Sequence, residues 1–562
     1  MRRDFHVQSD PPLMMRYAWI VLALLLATCA QAQVPDTAPQ TAIAARLDAL
    51  AQQPLGVLRI GDHTLGALVS RFYAQRADAP LWQSAARLRA LDDALDGLVD
   101  DGLAAQDYGG DRLARDALRL QEHVPMTDAQ RADIDVRASA AYLLALLQLR
   151  HGVLDVDAFY PDWQAAPRWP ASAAWLQAAA HAAEAGHITV AFDAARPSAP
   201  VYAQLRTALQ RLRDEAAAGG WPALPAGPAL EPGMQDARVA LLRRRLLVSS
   251  DLARTPQGDA DDDDAALANA VRAFQSRHGL QADGALGPAT LAALNVPVTT
   301  RIEQLRLDLE RARWYLHDLP PRYVQVDPAN YRLDYYNDGR LAWSTRVQVG
   351  QPWRPTPVLR SAITRLTLDP SWVVPPMILR EDMLPKLRRD PDYLARNHLR
   401  VFDAQGQPVA ADSIHWTRPP AGLTLRQEPG PGGALGLVAF RFANTHEVYL
   451  HDTPHKALFA QTRRAFSSGC VRVENAMELA QLLLNDPTRW NAESLQTAAS
   501  YDVTRDVPLN PPVPLRIIYW TVAVQPDGRI GLVPDVYHQY PALRDALGHA
   551  LARQEQAFAP AD

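Results

Sequence analysis

Two cysteines, Cys29 and Cys470, in a chain of 562 residues are too few for a disulfide framework. Neither sign of charge dominates: 57 Lys and Arg stand against 62 Asp and Glu, a net charge of -5. That balance offers no electrostatic footprint for a polyanion, so nucleic acid is excluded as an expected partner. Two strongly apolar stretches, Ala18 to Ala27 and Ala138 to Leu149, both fall short of the roughly 20 residues a membrane-spanning helix needs.

What is present begins with an export signature. Arg16 precedes the first apolar run, and Ala30-Gln31-Ala32 offers a small-x-small cleavage site, so residues 1–32 are expected to be a signal peptide; a start at Met14 or Met15 fits equally. Two alternatives stay open: lipidation at Cys29, disfavoured by the Thr28 before it, and an uncleaved signal acting as an anchor. Cleavage after Ala32 leaves no transmembrane span and Cys470 as the one cysteine, in an oxidising compartment, the periplasm. A lone thiol there is either a buried small residue or one kept for reaction.

Residues 40–217 are rich in Ala and Leu at helical spacing and predict a helical scaffold domain. Gly and Pro crowd Gly219 to Gly233 and mark a boundary. Residues 234–297 predict a three-helix module: Asp236 to Leu246, then Ala265 to Arg277 stopped by Gly279, then a helix opened by Gly287-Pro288. The acidic run at Asp259 and Asp261 to Asp264 lacks calcium-loop spacing and reads as a solvated loop. After a connecting helix, Arg301 to Leu316, the pattern alternates, and residues 320–540 predict a mainly-β domain. A proline-rich stretch, 375–433, is long enough to be a lid inserted in that domain, and 541–562 is left as a C-terminal tail.

Chemistry concentrates in Tyr449-Leu450-His451-Asp452-Thr453-Pro454 and Ser467-Ser468-Gly469-Cys470-Val471-Arg472. A thiol attacks as thiolate, so a nucleophilic Cys470 needs a base, and His451 at the end of a predicted strand can supply it. Gly469 lets the backbone turn closely, so amides around it and Cys470 could face a developing oxyanion, with Ser468 in support. Arg472 could orient a substrate carboxylate, steady the thiolate or sit in a structural ion pair. A metal site of His451, His455 and Cys470 lacks a fourth ligand, so no metal is expected.

Two resemblances follow. Phe274-Gln275-Ser276-Arg277-His278-Gly279-Leu280, Asp283-Gly284 and Gly287-Pro288 resemble the small peptidoglycan-binding domain. The His451 and Cys470 segments resemble YkuD-type L,D-transpeptidases, whose upstream histidine is followed by Ser-His-Gly-Cys-[Ile/Val]-Arg; Ser468 stands where that family usually has histidine. The likeness to the large YcbB-like subfamily extends through Arg346 to Gly350, Pro370 to Pro376, Arg426 to Pro431 and His451 to Pro454, with Gly433 where asparagine is expected. This resemblance implies that Cys470 attacks the third residue of a stem tetrapeptide, a diamino acid, and expels D-alanine. A second stem's amine, deprotonated by His451, then takes the acyl group to give a 3→3 cross-link. It implies no cofactor, susceptibility to carbapenems, Tyr449 and Trp372 in the cleft or else in the core, and peptidoglycan stem peptides, glycan and cell-wall synthesis proteins as partners. An L,D-carboxypeptidase or endopeptidase using the same pair, or a non-catalytic wall-binding scaffold, are the alternatives.

Overall fold

The computed structural model describes residues 38–165, 167–169, 172–253, 264–390, 392–430, 432–500, 503–525 and 528–559. The expected signal segment 1–32 with Cys29 and most of the acidic run lie outside them. Among the described residues no helix is long and apolar enough to cross a membrane.

Helix α1, Asp128–His151, is the axis of the N-terminal helical domain. Thr127 and Gln130 cap its start reciprocally, satisfying two amides that the first turn leaves without partners. The expected apolar segment 138–149 lies inside it and is buried throughout. Helices Ala38–Leu50, Leu65–Ala74 and Ile188–Ala195 pack around it. Buried Asp135 is kept inexpensive by accepting from the Leu81 and Trp82 amides at 2.9 and 2.7 Å.

The next module has its own small core of Leu242, Leu246, Val271, Phe274 and Leu294, drawn from α2 (Arg238–Val248), α3 (Asp264–Arg277) and α4 (Pro288–Leu294). The Gln275 side chain binds Asp283, Thr290 and the Gly284 amide at 2.7, 3.0 and 2.8 Å, so this part of the motif holds the module together. His278 Nδ1 lies 2.8 Å from the Leu532 carbonyl, docking the module on the C-terminal domain.

Helix α5, Val298–Tyr315, runs buried between the scaffold and a closed barrel. The barrel strands are β1 (Tyr323–Asp327), β2 (Arg332–Asn337), β3 (Arg340–Gly350), β4 (Leu359–Leu368), β9 (Val438–Phe442), β10 (Leu450–His451), β12 (Val471–Val473) and β13 (Arg505–Ile517). Around the barrel they run β3-β12-β10-β9-β4-β13-β1-β2, and β2 pairs back onto β3, so that sheet has no free edge there. Strand β11, Ala465–Ser467, adds to β3, and helix α6, Ala476–Leu484, follows the cysteine. The chain breaks after the last barrel strand: β13 ends at Ile517, and β14 (Val522–Val524) pairs with β15 (Ile530–Leu532). Asn330 causes the break, its amide donating to the Trp520 and Val522 carbonyls at 2.8 and 2.9 Å.

One segment has more structure than its expectation stated, and another differs from it. The 375–433 stretch is a folded unit. Val374, Met383, Leu387, Leu394, Leu399, Ile414 and Leu425 form a separate core. Beside it β5 (Trp372–Val373), β8 (Thr424–Gln427), β6 (Leu399–Phe402) and β7 (Pro408–Val409) make a four-stranded sheet, in that order. The stretch taken as a tail, 541–562, carries helix α7, Tyr540–Phe558, whose Leu543, Leu547, Leu551 and Phe558 are buried. Spacing of four residues puts them on one stripe, and Gln554 meets Gln148 of α1 at 2.7 Å.

Candidate active site

Strands β10 and β12 are parallel, with Leu450 beside Val471 and His451 beside Arg472. One step back, the Val471 amide donates to the Tyr449 carbonyl at 3.1 Å, so Cys470 lies across from Tyr449. Leu450 and Val471 point into the core; by alternation Tyr449, His451, Cys470 and Arg472 share the other face. Cys470 and His451 are thus diagonal neighbours, with Cα atoms roughly 8 Å apart from strand spacing and rise. Among the described residues no hydrogen bond joins the thiol to the ring. Strand register brings together the two residues that the sequence paired.

His451 is buried, and its Nδ1 lies 2.5 Å from the Asp452 carbonyl. A carbonyl can only accept, so Nδ1 carries the proton and Nε2 keeps its lone pair. Burial, reinforced by Arg472, pushes this imidazole down to about 3 against the Asp452 and Leu435 backbone groups. Burial likewise pushes the Cys470 thiol up, opposed by the Tyr449 backbone, Arg472 and Arg441. Both shifts favour an uncharged thiol–imidazole pair at rest.

The loop before Cys470 is braced from both sides. Gly469 has φ +117°, and a Cβ there would meet Val448 Cγ1 at 3.3 Å, so this position needs glycine. Its carbonyl accepts from Thr356 Oγ1 at 2.8 Å. Ser467 Oγ donates to the Cys470 carbonyl at 2.5 Å and accepts from the Gly469 amide at 3.2 Å. This corrects the expectation for Gly469: its N–H is occupied, whereas the Cys470 amide has no acceptor among the described residues. Ser468 Oγ accepts from Arg354 at 2.9 Å, and Arg354 pairs with Glu381 and Asp382 at 2.7 and 2.5 Å. The inserted unit is therefore tied to the cysteine loop through one guanidinium.

Arg472 donates to Gln348 at 3.2 Å and pairs with no carboxylate among the described residues, which removes the structural ion-pair reading. Tyr449 and Trp372 meet: burial pushes the phenol up, against hydrogen bonds from Trp372 and Arg441. Both aromatics thus line the junction between barrel and insertion. Asp452 accepts from the Leu437 amide at 3.0 Å and packs under Gly436, whose φ of +60° and close approach leave no room for a side chain. Among the described residues no group of three His, Cys, Asp or Glu could hold a metal ion.

Sequence reasoning missed Arg441 altogether. It follows Ala439 and Phe440, which pair with His451 and Leu450, so it falls beside Tyr449 on the Cys470 face. Its guanidinium carbon lies 4.7 Å from the Tyr449 ring centre. Strand parity within Leu435 to Phe442 was the available signal.

Comparison with known proteins assigns these parts. Residues 321–494 match the YkuD family, described as the L,D-transpeptidase catalytic domain. Residues 67–209 match a scaffold domain, and 235–294 a peptidoglycan binding domain. The barrel with Cys470 is an L,D-transpeptidase catalytic domain of the YkuD family. The chain joins it to a helical scaffold and a peptidoglycan-binding domain. A curated Haemophilus influenzae protein described as "Putative L,D-transpeptidase" is 35% identical over 215 residues, 38% of this chain and 44% of that protein, so the match spans less than half the relative's length. Among solved structures, an Enterococcus faecium L,D-transpeptidase cysteine mutant is 15% identical, covering 36% of this chain and 50% of that one at a TM-score of 0.18. One from Xylanimonas cellulosilytica is 16% identical, covering 52% and 99%, also at 0.18.

Proposed function

We propose that this chain is a periplasmic peptidoglycan L,D-transpeptidase that forms 3→3 cross-links through a Cys470 thioester. The observation that supports it is the placement of Cys470 and His451 on one barrel face, with Nδ1 of the ring engaged by the Asp452 carbonyl and Nε2 left as the base. As the thiol attacks the carbonyl of the third stem residue, Nε2 takes its proton. The tetrahedral oxyanion faces the free Cys470 amide, with the Ser468 hydroxyl held close by Arg354. On collapse Nε2–H gives the proton to the departing D-alanine nitrogen, leaving the thioester. An acceptor amine then attacks, Nε2 takes its proton, and the thiol is regenerated.

Arg472, lacking a carboxylate partner, steadies the thiolate as it forms. The inserted unit, anchored by Trp372 on Tyr449 and by Arg354 on Ser468, acts as a lid that keeps water from the thioester. Purified protein and tetrapeptide-rich muropeptides should give dimers lacking one D-alanine by mass spectrometry, and Cys470→Ala should give none. Tripeptides alone would instead mean hydrolysis.

A further inference from the structure

We infer that Arg441 is a specificity-determining residue that binds the side-chain carboxylate of the donor's third residue, and so selects a diamino acid that carries such a carboxylate over lysine or an amidated side chain. This rests on the proposed reaction at Cys470. Arg441 lies on the face that holds Cys470, His451 and Arg472. It is fixed from behind: Nε donates to Thr367 Oγ1 at 3.2 Å, and Thr367 donates onward to Asp506 at 2.7 Å. The ion pair made by Asp506 is with Arg365, at 3.2 Å. Arg441 itself pairs with no carboxylate among the described residues; beyond Thr367 it bonds the Tyr449 hydroxyl, and its remaining N–H groups are left for a ligand. A guanidinium held over an aromatic ring and fixed by two hydroxyls, with N–H donors to spare and no acid of its own, is prepared for a carboxylate.

Distance decides which carboxylate. Across β9, β10 and β12, Arg441 and Cys470 are two strand spacings apart, roughly 10 Å between Cα atoms. The guanidinium folds back over Tyr449, which shortens that gap. The carboxylate of the leaving D-alanine lies only about 3.5 Å from the attacked carbon, by ordinary bond lengths, and stays near the sulfur. The far carboxylate of a six- or seven-carbon diamino diacid reaches roughly 7 Å along its side chain, enough to meet Arg441.

Binding to the full-length Cys470→Ala protein tests this without requiring turnover. By isothermal titration it should bind a tetrapeptide stem with diaminopimelate at position three at least tenfold more tightly than the amidated or lysine stem. Adding Arg441→Gln should erase that preference, and adding Arg441→Lys should retain part of it. Equal affinity for the three stems, absence of binding, or a preference unchanged by Arg441→Gln would overturn the assignment. Thioester formation by the unmodified protein, read by intact mass, separately tests the reaction: its absence beside intact carboxylate selectivity defeats the mechanism and leaves Arg441 standing.

Discussion

In the scaffold and the central helix, three buried guanidiniums end on carboxylates: Arg313 on Glu310 at 2.6 Å, Arg196 on Asp101 at 2.7 Å and Arg137 on Asp116 at 2.8 Å. On the barrel face around Cys470, Arg441 and Arg472 have hydroxyl, amide and aromatic neighbours but no acid. Both environments are largely withdrawn from water, where an uncompensated charge is expensive. In these three pairs the chain neutralises its own cations; around Cys470 it does not. An unpaired arginine is not by itself a site, since Arg311 of α5 is buried on the Tyr519 carbonyl and the Tyr160 hydroxyl; what distinguishes Arg441 and Arg472 is that they share a face with Cys470.

The sharpest break of this contrast is Glu310→Gln set against Arg472→Gln. Glu310 and Arg313 are both about fully buried, so removing the acid strands a cation and should lower stability by about 3–5 kcal/mol in a denaturant titration. Arg472→Gln removes a charge that no acid balances and should leave stability within about 1 kcal/mol, while acyl-enzyme formation slows by about tenfold or more. Equal stability losses in the two variants would erase the distinction.

Titration separates the regions next. Burial pushes Asp308 of α5 up to about 7, against hydrogen bonds from Tyr540 and Thr521. An acid whose folded value is raised favours the folded state most below its unfolded value, near 4, and that contribution is lost as pH rises through 7. Melting temperature should therefore fall between pH 5 and 8, and Asp308→Asn should flatten the fall. At the site, with His451 down at about 3 and Cys470 raised, the rate of thiol acylation should climb with pH beyond neutrality and show no inflection near 6.5. A step at that ordinary histidine value would mean that the ring is far more solvated than its surroundings suggest.

The smallest effect is expected at Arg354→Ala. Its acids Glu381 and Asp382 are partly exposed, so global stability should change by at most about 1 kcal/mol. Proteolytic nicking within 375–433 should quicken, and the product ratio should move from cross-linked dimer toward tripeptide. An unchanged ratio would detach the insertion from water exclusion.

The segment that carries Cys470, its neighbour His451 and the order of domains were legible because short motifs state them almost outright. Much of the remainder was hidden by distance or dilution. The insertion's core residues, such as Leu387, Leu394 and Leu399, are scattered among Pro, Arg and Asp and show no sustained period, so they read as loop. The stripe of α7 was present in sequence, but what it covers lies on α1, hundreds of residues away. Gly469 has the positive φ that glycine favours, yet no local pattern announces that Ser467 takes its amide. Arg441 lacks a motif altogether; only register against Tyr449 and His451 gives it meaning.

The Gln148–Gln554 hydrogen bond joins positions 406 apart in the chain. The helical domain around α1 is thus completed by a helix from the other side of the barrel in sequence, a closure that local contacts cannot supply. A chain cut before residue 540 would lack the strap that covers this part of α1, however well its barrel is formed.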